Sequence, residues 1–175
     1  MQVDSEENRD CRPLDDSMTI AIALNTDCLN NLDISPAQTV IEKLLQEQSL
    51  ASHEQQLHFE IDYPREPTDP RELSEIPEIR LWFIRLDAHY PWLPFLLDWK
   101  AGELARYVAM LVPHQFNRTE GIQYNPEALE IFVMHKTFVL SSWMQDQGIP
   151  SQSRLKSMAQ MFGYELDDGF FDLIQ

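Results

Sequence analysis

An α+β fold is predicted for this chain: a small mixed three-stranded sheet, made of a strand–helix–strand unit plus a central strand, followed by a helical C-terminal half. Three observations predict it. Two alternating runs flank a helical stripe between residues 19 and 63, residues 79–86 are apolar on both alternations, and beyond residue 103 apolar side chains recur at helical spacing.

In Thr19 to Leu24, Ile20, Ile22 and Leu24 alternate with Ala21 and Ala23, a strand with a bulky face and a small face that a helix can approach closely. Ser35-Pro36 reads as an N-cap and a first-turn proline. Val40, Ile41, Leu44 and Leu45 then share one stripe of a helix over 36–48. Leu57, Phe59, Ile61 and Tyr63 alternate with His58, Glu60 and Asp62, so the second strand has one wet face. Pro64, Pro67, Pro70 and Pro77 mark a semi-rigid connection. In Ile79 to Leu86 both alternating sets are apolar, which predicts a strand covered on both faces at the centre of the sheet.

After Asp87 come aromatics and prolines, and then Leu104, Tyr107, Val108 and Leu111 on a helix that stops near Pro113. Residues 113–125 have no periodicity and read as an ordered loop. Asn125-Pro126 repeats the cap-plus-proline pattern and opens the longest helix, which ends at Gly148. A short helix over 151–162 stops at Gly163.

The 175 residues carry 29 carboxylates against 13 Lys plus Arg, a formal charge of −16. One domain over 18–175 is expected at that length. Residues 1–17 hold six of the carboxylates, two arginines and almost nothing apolar, and read as a disordered acidic tail; −12 remains on the domain. Nucleic acid is a poor partner for such a field, and no run of apolar residues is long enough for membrane insertion. With only Cys11 and Cys28, a disulfide framework and a four-cysteine metal or cluster site are excluded, and no cofactor is expected. The tail has neither the Arg-rich composition of a transit peptide nor an apolar signal region, which points to a cytoplasmic protein.

Three features carry possible chemistry. On the longest helix, Glu130, Thr137, Ser141 and Gln145 share an arc read as the wet face. Lys136 sits among the opposite apolar set of Leu129, Phe132, Val133, Val139, Leu140, Trp143 and Met144. Its ammonium needs a carboxylate, and Asp98 or Glu103 is the expected structural partner. Second, Asp87, His89, His114 and Glu120 are of the residue types that a metal-assisted hydrolase uses, at a spacing that fits no zinc motif. With five glycines, no phosphate-cradling loop is available either, and an enzyme is disfavoured. Third, His89, Tyr90, Trp92, Phe95 and Trp99 crowd into eleven residues, a corner fixed by Pro91 and Pro94 or an aromatic anchor for a protein partner. The following loop offers His114, Gln115, Arg118 and Tyr124. The expected partner-binding set is therefore His89, Tyr90, Trp92, Trp99, His114, Gln115, Arg118 and Tyr124.

The runs DWKAGELARY, LVPHQFNRTEGIQYNPEALEIFVMHK and the terminal GYELDD resemble the chlororespiratory reduction 6 family of cyanobacteria and plant chloroplasts, a likeness extending over 18–174. The resemblance implies an assembly factor, not an enzyme, for the hydrophilic arm of the photosynthetic NAD(P)H dehydrogenase-like complex. The implied client is the arm's ferredoxin-like subunit with two 4Fe–4S clusters. It also implies a cyanobacterial cytoplasm, or the chloroplast stroma in plant relatives. The acidic tail departs from the family pattern. An acidic protein can shield a basic client surface, and the alternative is the hydrolase above.

Overall fold

The computed structural model describes residues 19–174, with the backbone alone for Phe116, Asn117, Gly121, Ile122 and Tyr124. The tail predicted over 1–17 lies outside the described residues. The fold is α+β with a helical C-terminal half. Strands β1 (Ile20–Leu24) and β2 (Leu57–Ile61) pair in parallel from Ile20↔Leu57 to Leu24↔Ile61, so the chain between them must cross over. Helices α1 (Thr26–Asn30) and α2 (Ser35–Gln46) make that crossover.

Ile22, Leu24 and Leu57 are buried, and α2 packs on β1 with Ala37, Ile41 and Leu44 inward. The small face of β1 is turned the other way: Ala21 and Ala23 are exposed, and no helix uses the close approach that they offer. The cap of α2 also differs from expectation. Ser35 is the first helical residue, and the Asp33 carboxylate accepts its N–H at 2.9 Å, a bond that lowers the carboxyl's pKa.

The predicted central strand is a helix. Helix α3 runs from Pro77 to His89 and buries Ile79, Trp82, Phe83 and Leu86, the i, i+3, i+4, i+7 stripe of a helix on a core. Both alternations looked apolar because Leu81 and Ile84 are also apolar, yet these are 51% and 45% exposed on the outer face. Each buried member of the stripe contributes about 1.5–3 kcal/mol of burial. Phe59 of β2 meets Trp82 and Phe83 edge-on at 6.0 and 5.0 Å, and Phe83 meets Tyr107 at 5.5 Å. Instead of a central strand, a single parallel bridge from Leu57 to Leu97 borders β2.

Helix α4 (Glu103–Leu111) follows. The stretch expected as an ordered loop over 113–125 contains an antiparallel hairpin, β3 (His114–Asn117) with β4 (Gly121–Tyr124), in register from His114↔Tyr124 to Asn117↔Gly121. Helix α5 (Pro126–Asp146) starts as expected, the Asn125 side chain accepting from Glu127 N–H at 3.1 Å and Ala128 N–H at 3.2 Å. Gly148 at φ 67° and Gly163 at φ 84° supply the left-handed turns after α5 and after α6 (Gln152–Met161). A last helix, α7 (Asp168–Ile174), folds back so that Phe170 lies against Phe138 at 5.8 Å. One core of buried side chains runs from Ile22 to Phe171.

Candidate functional site

The aromatic corner between α3 and α4 is mostly internal. Leu93, Phe95, Leu96 and Leu97 are fully buried, and Tyr90 nearly so. Trp92 is half-buried and stacks on Trp143 of α5, centroids 5.2 Å apart and planes 8° from parallel, while Phe95 meets the same indole edge-on. Two of the corner's polar handles have partners within the fold. Tyr90 Oη donates to Glu42 at 3.4 Å, and Trp99 Nε1 donates to Pro94 O at 3.3 Å. Burial, then the Glu42 carboxylate, pushes the Tyr90 phenol up to about 12.

Beneath the corner, the Lys136 side chain is buried, with 1% of its surface exposed. Its partner is Asp87 at the end of α3, not Asp98 or Glu103. The ammonium donates to Asp87 Oδ1 and, at 3.1 Å, to Pro91 O, and it faces the Phe132 ring at 5.3 Å. Tyr107 of α4 donates to the same carboxylate oxygen at 2.9 Å. Burial lowers the Lys136 pKa against the pull of Asp87, and it drives the Tyr107 phenol well above its ordinary value. The rejected partners are used locally: Asp98 accepts from Lys100 and Ala101 N–H, and Glu103 pairs with Arg106 at 2.6 Å. The group therefore joins α3, α4, α5 and the Pro91 turn as a structural network.

The helix face around Lys136 is rotated from the expected one. Thr137, placed on the wet arc by sequence, is buried and donates to Val133 O at 2.8 Å, whereas Ile131 and Phe138 are 70% and 50% exposed. Two exposed aliphatic or aromatic residues one heptad apart are the signal that fixes the true face.

The hairpin is fastened at its base. Arg80 of α3 reaches Val112 O at 3.2 Å and His114 Nδ1 at 2.8 Å, and Ser74 Oγ lies 3.4 Å from His114 Nε2. Gln115 and Arg118 are exposed, Arg118 at the turn between β3 and β4. The Tyr124 side chain lies outside the described residues, its backbone pairing with His114. An open cleft of about 410 Å³ lies between Pro113, His114, Gln115, Gln123, Asn125 and Pro126. His89, at the end of α3, is exposed and meets the Tyr90 ring edge-on at 4.1 Å. Of the expected partner-binding set, His89, Gln115 and Arg118 thus present themselves to solvent, Trp92 and Trp99 do so in part, and Tyr90 does not.

The four residues of the hydrolase reading are not brought together. Asp87 is held by an ammonium and a phenol, His114 by a guanidinium, and Glu120 stands at the hairpin turn with Gln123 donating to it. Among the described residues, no group of three or more His, Cys, Asp or Glu is placed to share a metal ion. Among the same residues, no helix is long and apolar enough to cross a membrane.

Compared with known proteins, residues 24–173 match the model of the chlororespiratory reduction 6 family, and the chain belongs to that family. No solved structure matches it.

Proposed function

We propose that this member of the chlororespiratory reduction 6 family is an assembly factor that binds a client during construction of the hydrophilic arm of the photosynthetic NAD(P)H dehydrogenase-like complex. The client is the arm's ferredoxin-like iron–sulfur subunit. The observation that carries the reading is the family match over 24–173. A formal charge of −16 suits the role, because an acidic chaperone attracts a basic client face and keeps it soluble.

The proposed client contact takes in His89, the partly exposed Trp92 and Trp99, and the hairpin. At the hairpin turn Arg118 stands exposed and can pair bidentately with a client carboxylate, and Gln115 and Tyr124 complete the proposed set. Phe95 and Trp143 pack around Trp92 and pre-order that part of the contact, which lowers the ordering cost of binding. The factor works in the cytoplasm of a cyanobacterium, or in the stroma for plant relatives.

The test is co-purification of the iron–sulfur subunit from a cyanobacterial lysate on the full chain. Wild type is expected to retain the subunit, and Arg118→Ala, folded by circular dichroism, to retain severalfold less. Failure of wild type to retain it overturns the client. Undiminished capture by Arg118→Ala moves the contact off the hairpin.

A further inference from the structure

Three large apolar side chains of α5 and α7 stand exposed. Ile131 and Phe138 of α5 are 70% and 50% exposed, and Leu173 of α7 is 87% exposed. They form a connected ridge. Ile131 and Phe138 stand seven residues apart on one helix face, about 10 Å along the axis. Phe138 touches Phe170 at 5.8 Å, and Leu173 lies one turn beyond Phe170 on α7. Exposed residues in solvated helices are usually polar, and three large apolar groups spaced at helical intervals are a recognition pattern.

The rim of the ridge decides the occupant. Glu127 and Glu130 flank Ile131, and Asp172 and Asp167 flank the α7 side, all of them exposed. Of the cationic side chains on α5 and the neighbouring α6, Lys136 is buried on Asp87, Arg154 pairs with Glu54 and Lys156 pairs with Asp168 of α7, while the imidazole of His135 stands exposed between Ile131 and Phe138. A second copy of the chain would bring an identical acidic rim against this one, and an anionic bilayer would be repelled in the same way. An i, i+7 apolar stripe between acidic margins fits a helix with apolar anchors and Lys or Arg along its edges.

We infer that the α5–α7 ridge is a docking surface for a basic amphipathic helix of a partner protein. It shares no residue with the hairpin surface proposed above, so it can fail while that surface stands.

The test uses the full chain and a fluorescein-labelled leucine–lysine peptide of about four helical turns. A twin peptide has serine in place of every leucine and the same charge. Wild type is expected to bind the leucine peptide at least about tenfold more tightly than the twin. The double substitution Ile131→Ser with Leu173→Ser abolishes that preference. Leu81→Ser with Ile84→Ser, on the outer face of α3, preserves it. Reversing the rim with Glu130→Lys and Asp172→Lys weakens both peptides, and it reads the same surface without touching an apolar anchor. Equal binding of the two peptides to wild type overturns the inference, as does preference retained in the Ile131/Leu173 variant. So does a wild-type dimer in sedimentation that the same variant dissolves.

Discussion

The aromatic corner and the hairpin that follows it spend their side chains in opposite ways. The corner holds large rings, a buried ammonium and a carboxylate, and Tyr90, Trp99 and Lys136 all direct their polar atoms to partners within the fold. The hairpin is fastened at its base, by Arg80 and Ser74 to His114, and turns Gln115 and Arg118 to solvent. Aromatic density alone therefore does not identify a contact surface. A ring that stacks in parallel on a partner helix, as Trp92 does on Trp143, belongs first to the fold.

The largest effect that would sharpen this contrast comes from the ion pair. Asp87→Ala leaves the Lys136 ammonium buried without its carboxylate and is expected to cost about 3–5 kcal/mol in urea unfolding. Lys136→Met, which keeps the stem's volume, is expected to be milder than Lys136→Ala; wild-type stability in all three would mean that the network holds nothing. Next in size, Trp143→Ala removes the face on which Trp92 rests. A loss of about 2 kcal/mol is expected, since the indole is only partly buried.

A smaller and pH-dependent effect belongs to the phenols. Tyr90 titrates near 12 in the folded chain, and Tyr107 is also raised, while in the unfolded chain both ionise near 10. Above pH 10 the unfolded state therefore loses protons that the folded state keeps, so stability is intact below about pH 10 and falls as pH rises through the folded values. Lys136, lowered by burial, opposes this in the alkaline range. The net is two phenols against one ammonium. Tyr90→Phe is expected to narrow the difference between melting temperatures at pH 8 and pH 11, and an unchanged difference would remove Tyr90 from the account. The smallest stability effect is at the hairpin tip. Arg118→Ala is expected to stay within about 0.5 kcal/mol of wild type while client capture falls, which separates folding from contact.

What the sequence made legible follows from how many interactions each signal needs. The pairs β1–β2 and the start of α5 were readable because alternation and Asn125-Pro126 are local. Residues 79–86 were misread for a physical reason: the outward positions Leu81 and Ile84 are apolar, so the helical stripe was masked by an apparent double alternation. Pro77 in the first turn, and Arg80 and Arg85 inside a run otherwise taken as wholly buried, argued for a helix. The hairpin escaped because its strands have four residues each, too few for a period to declare itself. The unpaired Lys136 was recognised, but its partner was not. Asp87 sits 49 residues away on an element assigned to the wrong class, and only the helical path of α3 brings it under α5. Of the candidate contact, residue types were legible and exposure was not, since Tyr90 and Arg118 look equally available in a string of letters.

The bond between Lys136 and Asp87 also has an order in time. On the ribosome the chain emerges from its N-terminus, and Asp87, Pro91 and Trp92 are all made well before the α5 residues that complete them. Until Lys136 and Trp143 arrive, the nascent chain carries a carboxylate lacking its ammonium and an indole lacking its stacking partner. Asp87 and Trp92 therefore reach their final packing only after α5 has been synthesised, so β1 and β2 can pair before the network that ties α3 to α5 can close.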